Sequence, residues 1–160
     1  MTLSTTDQRA RRTSPADEPL GAELRYDYAD AFEVNLREGD SRTAERVVRT
    51  GLEHASPALG RAVLAVHRHV LRFRLGPVSS PKHVVGWQIA TNEPEVLCLK
   101  AEGSLINGVM VARRTGDNVA RLTTFVTYQR PRARIVWAIV GPVHRKMAPN
   151  LMERAARPAE

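Results

Sequence analysis

Cysteine, lysine and aromatic residues are all scarce in this chain of 160 residues, and each scarcity closes off a class of protein. Cys98 stands alone, so there is neither an internal disulfide framework nor a thiol pair for a metal site. It lies in the apolar run VLCLKA, where a free cysteine packs as a small hydrophobe. No GxSxG elbow is present, and neither a P-loop nor a GxGxxG follows any strand, so nothing points to a serine nucleophile or a nucleotide, and no cofactor is expected. Long apolar runs are missing too. The best, Ile135 to Val143, is about half of the ~20 residues a helix needs to cross a bilayer. The opening MTLSTTDQRARRTSPADEPLG has no apolar segment behind a positive start, which makes a secretion signal unexpected and a cytoplasmic location the expectation.

What the chain does carry is arginine. The formal net charge is +7, and only Lys82, Lys100 and Lys146 are lysines. A clustered basic surface would suggest nucleic acid, because it releases counterions from phosphates. Here the arginines are spread along the whole chain, which fits the codon bias of a GC-rich bacterial genome better than a binding patch, so nucleic acid is not the expected partner.

Residues 1–24 hold hardly an apolar side chain and cannot offset the entropy of ordering, so a disordered basic and polar tail is expected, with a single α+β domain over 25–156. From Tyr28 to Leu36 the sequence alternates with period two, Phe32, Val34 and Leu36 on one face and Ala31, Glu33 and Asn35 on the other, a half-buried strand. A helix capped by Asp40 or Ser41 follows through Leu52, and a second starts at Ser56-Pro57 and runs until Gly76-Pro77. Four strands come next, Val84 to Ala90, Glu95 to Glu102, Leu105 to Arg114 and Val119 to Tyr128, with links so short that they must be antiparallel. Pro131 suits the start of a last helix, and Pro142 and Pro149 each delete a hydrogen bond, so this helix is expected to bend or break twice. Its face of Ile135, Ile139, Pro142 or Val143 and Met147, with Val136, Val140 and Leu151 beside it, is expected to be buried against the meander.

Strand, two helices, antiparallel meander and long C-terminal helix make the helix-grip order, in which a curved sheet wraps the last helix and leaves a cavity for small apolar molecules. The strings YADAF at 28–32, GWQI at 86–89, TTFVTY at 123–128 and GPVHRKMAPNLMERA at 141–155 resemble a family of uncharacterised small bacterial proteins, a domain of unknown function related to the START and polyketide-cyclase-like superfamily, often called SRPBCC-like. The resemblance covers roughly 25–156. It implies the fold and brings no catalytic residues, since the superfamily spans carriers, receptors, cyclases and scaffolds. This chain shows about five strands, fewer than a complete helix-grip domain.

If such a cavity exists, Phe32, Trp87, Met110, Phe125 and Trp137 are the candidates to line it, with strand faces left open because a one-residue slip reverses them. His144 follows Gly141-Pro142 and joins them, as a residue that fixes the helix break or, less expected, as a general acid or base. His67 and His69 stand two apart on a helix and cannot share an ion, so no metal site is expected. Two readings follow. The first is a binder of an apolar or amphipathic small molecule. The second is an interaction protein whose Arg130, Arg132, Arg134, Arg145 and Lys146 hold anionic lipid headgroups or nucleic acid over a merely structural core. Enzyme activity and oligomeric state stay open.

Overall fold

The computed structural model describes residues 7–116 and 118–157. Its strands are β1 (Arg11–Thr13), β2 (Tyr28–Asn35), β3 (His83–Val84), β4 (Trp87–Glu93), β5 (Val96–Ala101), β6 (Ile106–Thr115) and β7 (Val119–Tyr128), and its helices are α1 (Ala44–Glu53), α2 (Pro57–Ala65) and α3 (Ala133–Ala156). Among the described residues the strands form one antiparallel sheet in the order β1-β2-β7-β6-β5-β4-β3. The helices lie on its concave side, giving the α+β helix-grip arrangement. Two of the seven strands, β1 and β3, are too short for period-two reading and raise the expected count of five.

The register sorts the side chains. Tyr28, Asp30, Phe32 and Val34 face Val126, Thr124, Leu122 and Ala120 of β7, and these continue through β6 as Gly108, Met110, Ala112 and Arg114. One concave row therefore runs Asp30, Thr124, Met110, Leu99, Ile89, and the next runs Tyr28, Val126, Gly108, Ala101. Gly108 is required where it stands. A Cβ there would come 2.6 Å from the Trp87 ring, which lies across it.

The segment expected to be a disordered tail takes another form over 7–24, while residues 1–6 lie outside the described residues. β1 pairs with β2, and two 3-10 turns, each begun by a proline, carry the chain along the convex face. Its anchor is polar: the Glu18 side chain, 2 % exposed, accepts from Arg113 at 2.8 and 3.0 Å and from the Leu20 amide at 3.1 Å. Apolar content was a poor guide here because a buried ion pair holds the segment. Under it sits a second small core of Val96, Cys98, Val111 and Phe125.

The helices start on hydroxyl caps. Ser56 accepts from the Leu59 amide, with Pro57 at the first helical position as expected. For α1 the cap is Thr43, accepting from the Arg46 amide, two residues beyond the expected Ser41; Asp40 is instead engaged by Arg42. The second helix also stops early. At Val66–Val70 it widens into a π turn, closed by the Leu71 amide on the Val66 carbonyl, and Arg72 at φ 59 sends Phe73 back to bridge Gly103.

α3 does not break at its prolines. Pro142 and the Ala138 carbonyl it orphans both sit at exposed positions, where water can replace the lost donor. The buried face is also not the expected one. Ala133, Trp137, Gly141, Ala148, Met152, Ala155 and Ala156 face inward, whereas Ile135, Ile139 and Val143 are 67, 71 and 54 % exposed. Small residues let the helix backbone approach β2, β7 and α1 closely, and that close approach decided the orientation over hydrophobicity. At Gly51 of α1 an added Cβ would come 2.6 Å from the Leu151 carbonyl oxygen.

Candidate functional site

A carboxylate stands in the middle of the concave face. Asp30 shares the parity of Phe32 and Val34 on β2, which turns it inward, and it is 1 % exposed. An ionised carboxylate so placed is tolerable only if several groups bond it. Tyr28, one inward position earlier, donates its hydroxyl to Asp30 Oδ2 at 2.6 Å, the length of a charge-assisted bond. From α3, His144 Nε2 lies 3.1 Å from Oδ2 and 3.3 Å from Oδ1. Since the carboxylate only accepts, Nε2 carries the hydrogen, and in neutral imidazole the lone pair is then on Nδ1. Burial and the bond to Asp30 raise the Tyr28 pKa, with Arg145 pulling the other way, so the phenol keeps its proton as a donor. Arg145 Nη1 approaches Tyr28 Oη at 3.3 Å with its guanidinium 5.8 Å from the ring centroid.

Around this polar group stand two aromatic clusters. Trp137 packs on Tyr28 and on His144 with centroids 5.2 and 5.5 Å apart. At the far end of the same sheet row, Trp87, Phe73 and His67 meet edge to face, and Trp87 Nε1 donates to His67 Nδ1 at 3.2 Å. That bond places the remaining imidazole hydrogen on His67 Nε2. Burial, helped by nearby His144, pushes the His67 pKa down to about 4, so His67 is neutral at physiological pH.

Two buried groups in this region find no hydrogen-bond partner among the described residues: Trp137 Nε1 on the helix and Thr124 Oγ1, the cross-strand neighbour of Asp30. Native interiors satisfy nearly all such groups, and each exception asks for a cause. α2 is loosely held: none of its residues is buried, and Leu59, Val63 and Leu64 are only half-buried.

Of the candidates read from sequence, Phe32, Trp87, Met110, Trp137 and His144 are on the concave side. Trp137 and His144 are brought together around Asp30, Met110 is half-buried in the Asp30 row, Trp87 is in the second aromatic cluster, and Phe32 is deeper in the core. Phe125 is on the opposite face, packed at a tilt against Tyr26 with centroids 5.0 Å apart and capped by Gly21. Sequence reasoning missed Asp30, Tyr28 and Thr124. The expected cavity also differs from the space present. One hollow of about 10 Å³, enough for a single water, lies between α1, the sheet and Met152, and another of about 180 Å³ opens among Arg37, Asp40, Arg42, Arg46, Thr50, Ala156 and Arg157. Neither borders Asp30, and on the concave face Tyr28 packs on Trp137 and Phe73 on Trp87. His67 is engaged by Trp87, and among the described residues no group of three or more His, Cys, Asp or Glu is placed to hold a metal ion.

No family model matches the chain. No curated protein matches it either. Among solved structures it is similar to protein Ms6760 from Mycobacterium smegmatis, at 14 % identity and a TM-score of 0.39 over 90 % of this chain and 94 % of that one. It is also similar to norcoclaurine synthase from Thalictrum flavum, solved in complex with dopamine and hydroxybenzaldehyde, at 12 % identity and a TM-score of 0.37 over 83 % of this chain and 89 % of that one. At these values neither likeness bears on what this chain binds.

Proposed function

We propose that the protein binds a small amphipathic molecule between the sheet and α3, with its polar end at Trp137 Nε1 and Thr124 Oγ1 beside Asp30–His144 and its apolar body toward Met110 and Trp87. One observation carries this reading: a buried N–H and a buried hydroxyl, on the two layers that meet at a fixed carboxylate, both lack partners among the described residues. A ligand oxygen would supply the acceptor that Trp137 Nε1 lacks, and a ligand polar group the partner that Thr124 Oγ1 lacks. Tyr28, itself touched by Arg145, holds the carboxylate, and the carboxylate holds His144 Nε2, so His144 Nδ1 is the group able to accept a proton or a hydrogen bond from the ligand. Membership of the bacterial SRPBCC-like family is part of the same reading and rests on the four sequence strings quoted above.

Native mass spectrometry before and after mild denaturation tests it. A defined small mass released on unfolding from the wild type, and strongly reduced in Trp137→Phe, is the expected result. A wild type that retains the same mass after Trp137→Phe and His144→Ala would move the ligand away from this site.

A further inference from the structure

The three most exposed large hydrophobic side chains among the described residues, Ile135, Ile139 and Val143, stand four apart on α3. At about 100° per residue they form one stripe, with Pro142 beside it. Arg132 precedes Ile135 by three positions and Lys146 follows Val143 by three, so each end of the stripe carries an exposed cation on the same helix face. From Gln129 to Met152 the sequence has no aspartate or glutamate. This is the composition of a helix that lies in an interface: an apolar strip about 12 Å long, cations at both ends whose stems can snorkel, and no opposing charge.

We propose that the outer face of α3 docks on an anionic lipid bilayer surface, with Ile135, Ile139 and Val143 entering the acyl boundary and Arg132 and Lys146 contacting headgroups. The helix does not cross: no described helix is long and apolar enough. A second copy of the chain is a poorer occupant, because pairing two such stripes sets Arg132 and Lys146 of one copy against cations of the other in either direction. The face is opposite the one that carries Trp137, so the inference stands independently of a ligand at Asp30 and identifies what scattered arginines alone could not: a located surface in which apolar and basic groups act together.

Flotation of the full chain with vesicles of phosphatidylcholine, with and without about one third phosphatidylserine, is the test. Binding to the anionic vesicles only, weakened by salt, is expected. Ile139→Ser should lower the partition coefficient by about tenfold, the order expected for withholding one large apolar side chain from burial, and Lys146→Gln by roughly fivefold. Both positions are exposed, so circular dichroism should be unchanged. Equal or no binding to the two vesicle types would overturn the proposal, as would Ile139→Ser binding like the wild type, which would leave charge alone as the cause. Sedimentation that shows a dimer converted to monomer by Ile139→Ser would assign the stripe to a second copy and overturn it too.

Discussion

Trp137→Phe removes the unpartnered N–H together with three ring atoms of a buried indole. The lost packing outweighs the relief of an unsatisfied donor, so the variant should unfold about 1 kcal/mol more easily in a denaturant titration while staying folded, and ligand retention falls. Tyr28→Phe acts through the fold alone: it strips Asp30 of its shortest bond and should cost about 2 kcal/mol. His67 supplies a pH dependence. Its folded pKa of about 4 lies below the unfolded 6.5, so between these values the unfolded state binds more protons. Its contribution is therefore fully present above pH ~6.5 and is lost as pH falls toward ~4, by about 3 kcal/mol in all. In His67→Gln, which keeps an acceptor for Trp87, this part of the slope in unfolding midpoint against pH should vanish; an unchanged slope would show that His67 is not its source. The clue to Asp30 was present in the sequence. It shares the parity of Phe32, Val34 and Leu36, and a charge at an inward position of an amphipathic strand needs partners. Those partners were not legible, because His144 lies 114 residues away.

Strands whose two faces differ were readable, and those covered on both faces were not. β2 alternates over Phe32 to Asn35 because its convex side carries Glu33 and Asn35 there, while Ala31 on that same side is fully buried. In β7, Leu122, Thr124 and Val126 pack under the helices while Thr123 and Phe125 pack under the N-terminal segment, so a continuous buried run gives no parity and Phe125 was assigned to a cavity it does not face. For α3 the hydrophobic stripe is the outer one, because Ala133, Gly141, Ala148 and Ala155 permit closer packing than isoleucine would. The N-terminal segment is held by Glu18 and Arg113, with Glu18 wholly enclosed and Arg113 partly in water. Breaking such a pair leaves an unpartnered charge, so Glu18→Gln should destabilise by about 3 kcal/mol and deprotect the amides of residues 11–13 in hydrogen exchange. If those amides exchange alike in both proteins, the anchor lies elsewhere. The α2 helix should exchange early in the wild type, ahead of β6 and β7, because none of its residues is buried.

Across the whole molecule, the strand and helix order was sufficient to identify the helix-grip arrangement, since short links between apolar segments allow little but a meander with a helix laid over it. The shape of the space between the layers was not legible, because it depends on ring orientations such as Trp87 over Gly108. What results is a sheet whose concave centre carries one fixed carboxylate, an imidazole and two unpartnered polar groups, under a helix whose outer face is apolar and basic. The most direct test of the binding claim is the nitrogen-15 spectrum of the two indole N–H groups during titration with the amphipathic probe 8-anilinonaphthalene-1-sulfonate. Trp87 is bonded to His67 and Trp137 has no partner among the described residues, so the account predicts a saturable shift of the Trp137 signal that His144→Ala weakens. A Trp137 signal that stays in place, or that drifts without saturation in wild type and variant alike, would contradict a ligand site at Asp30.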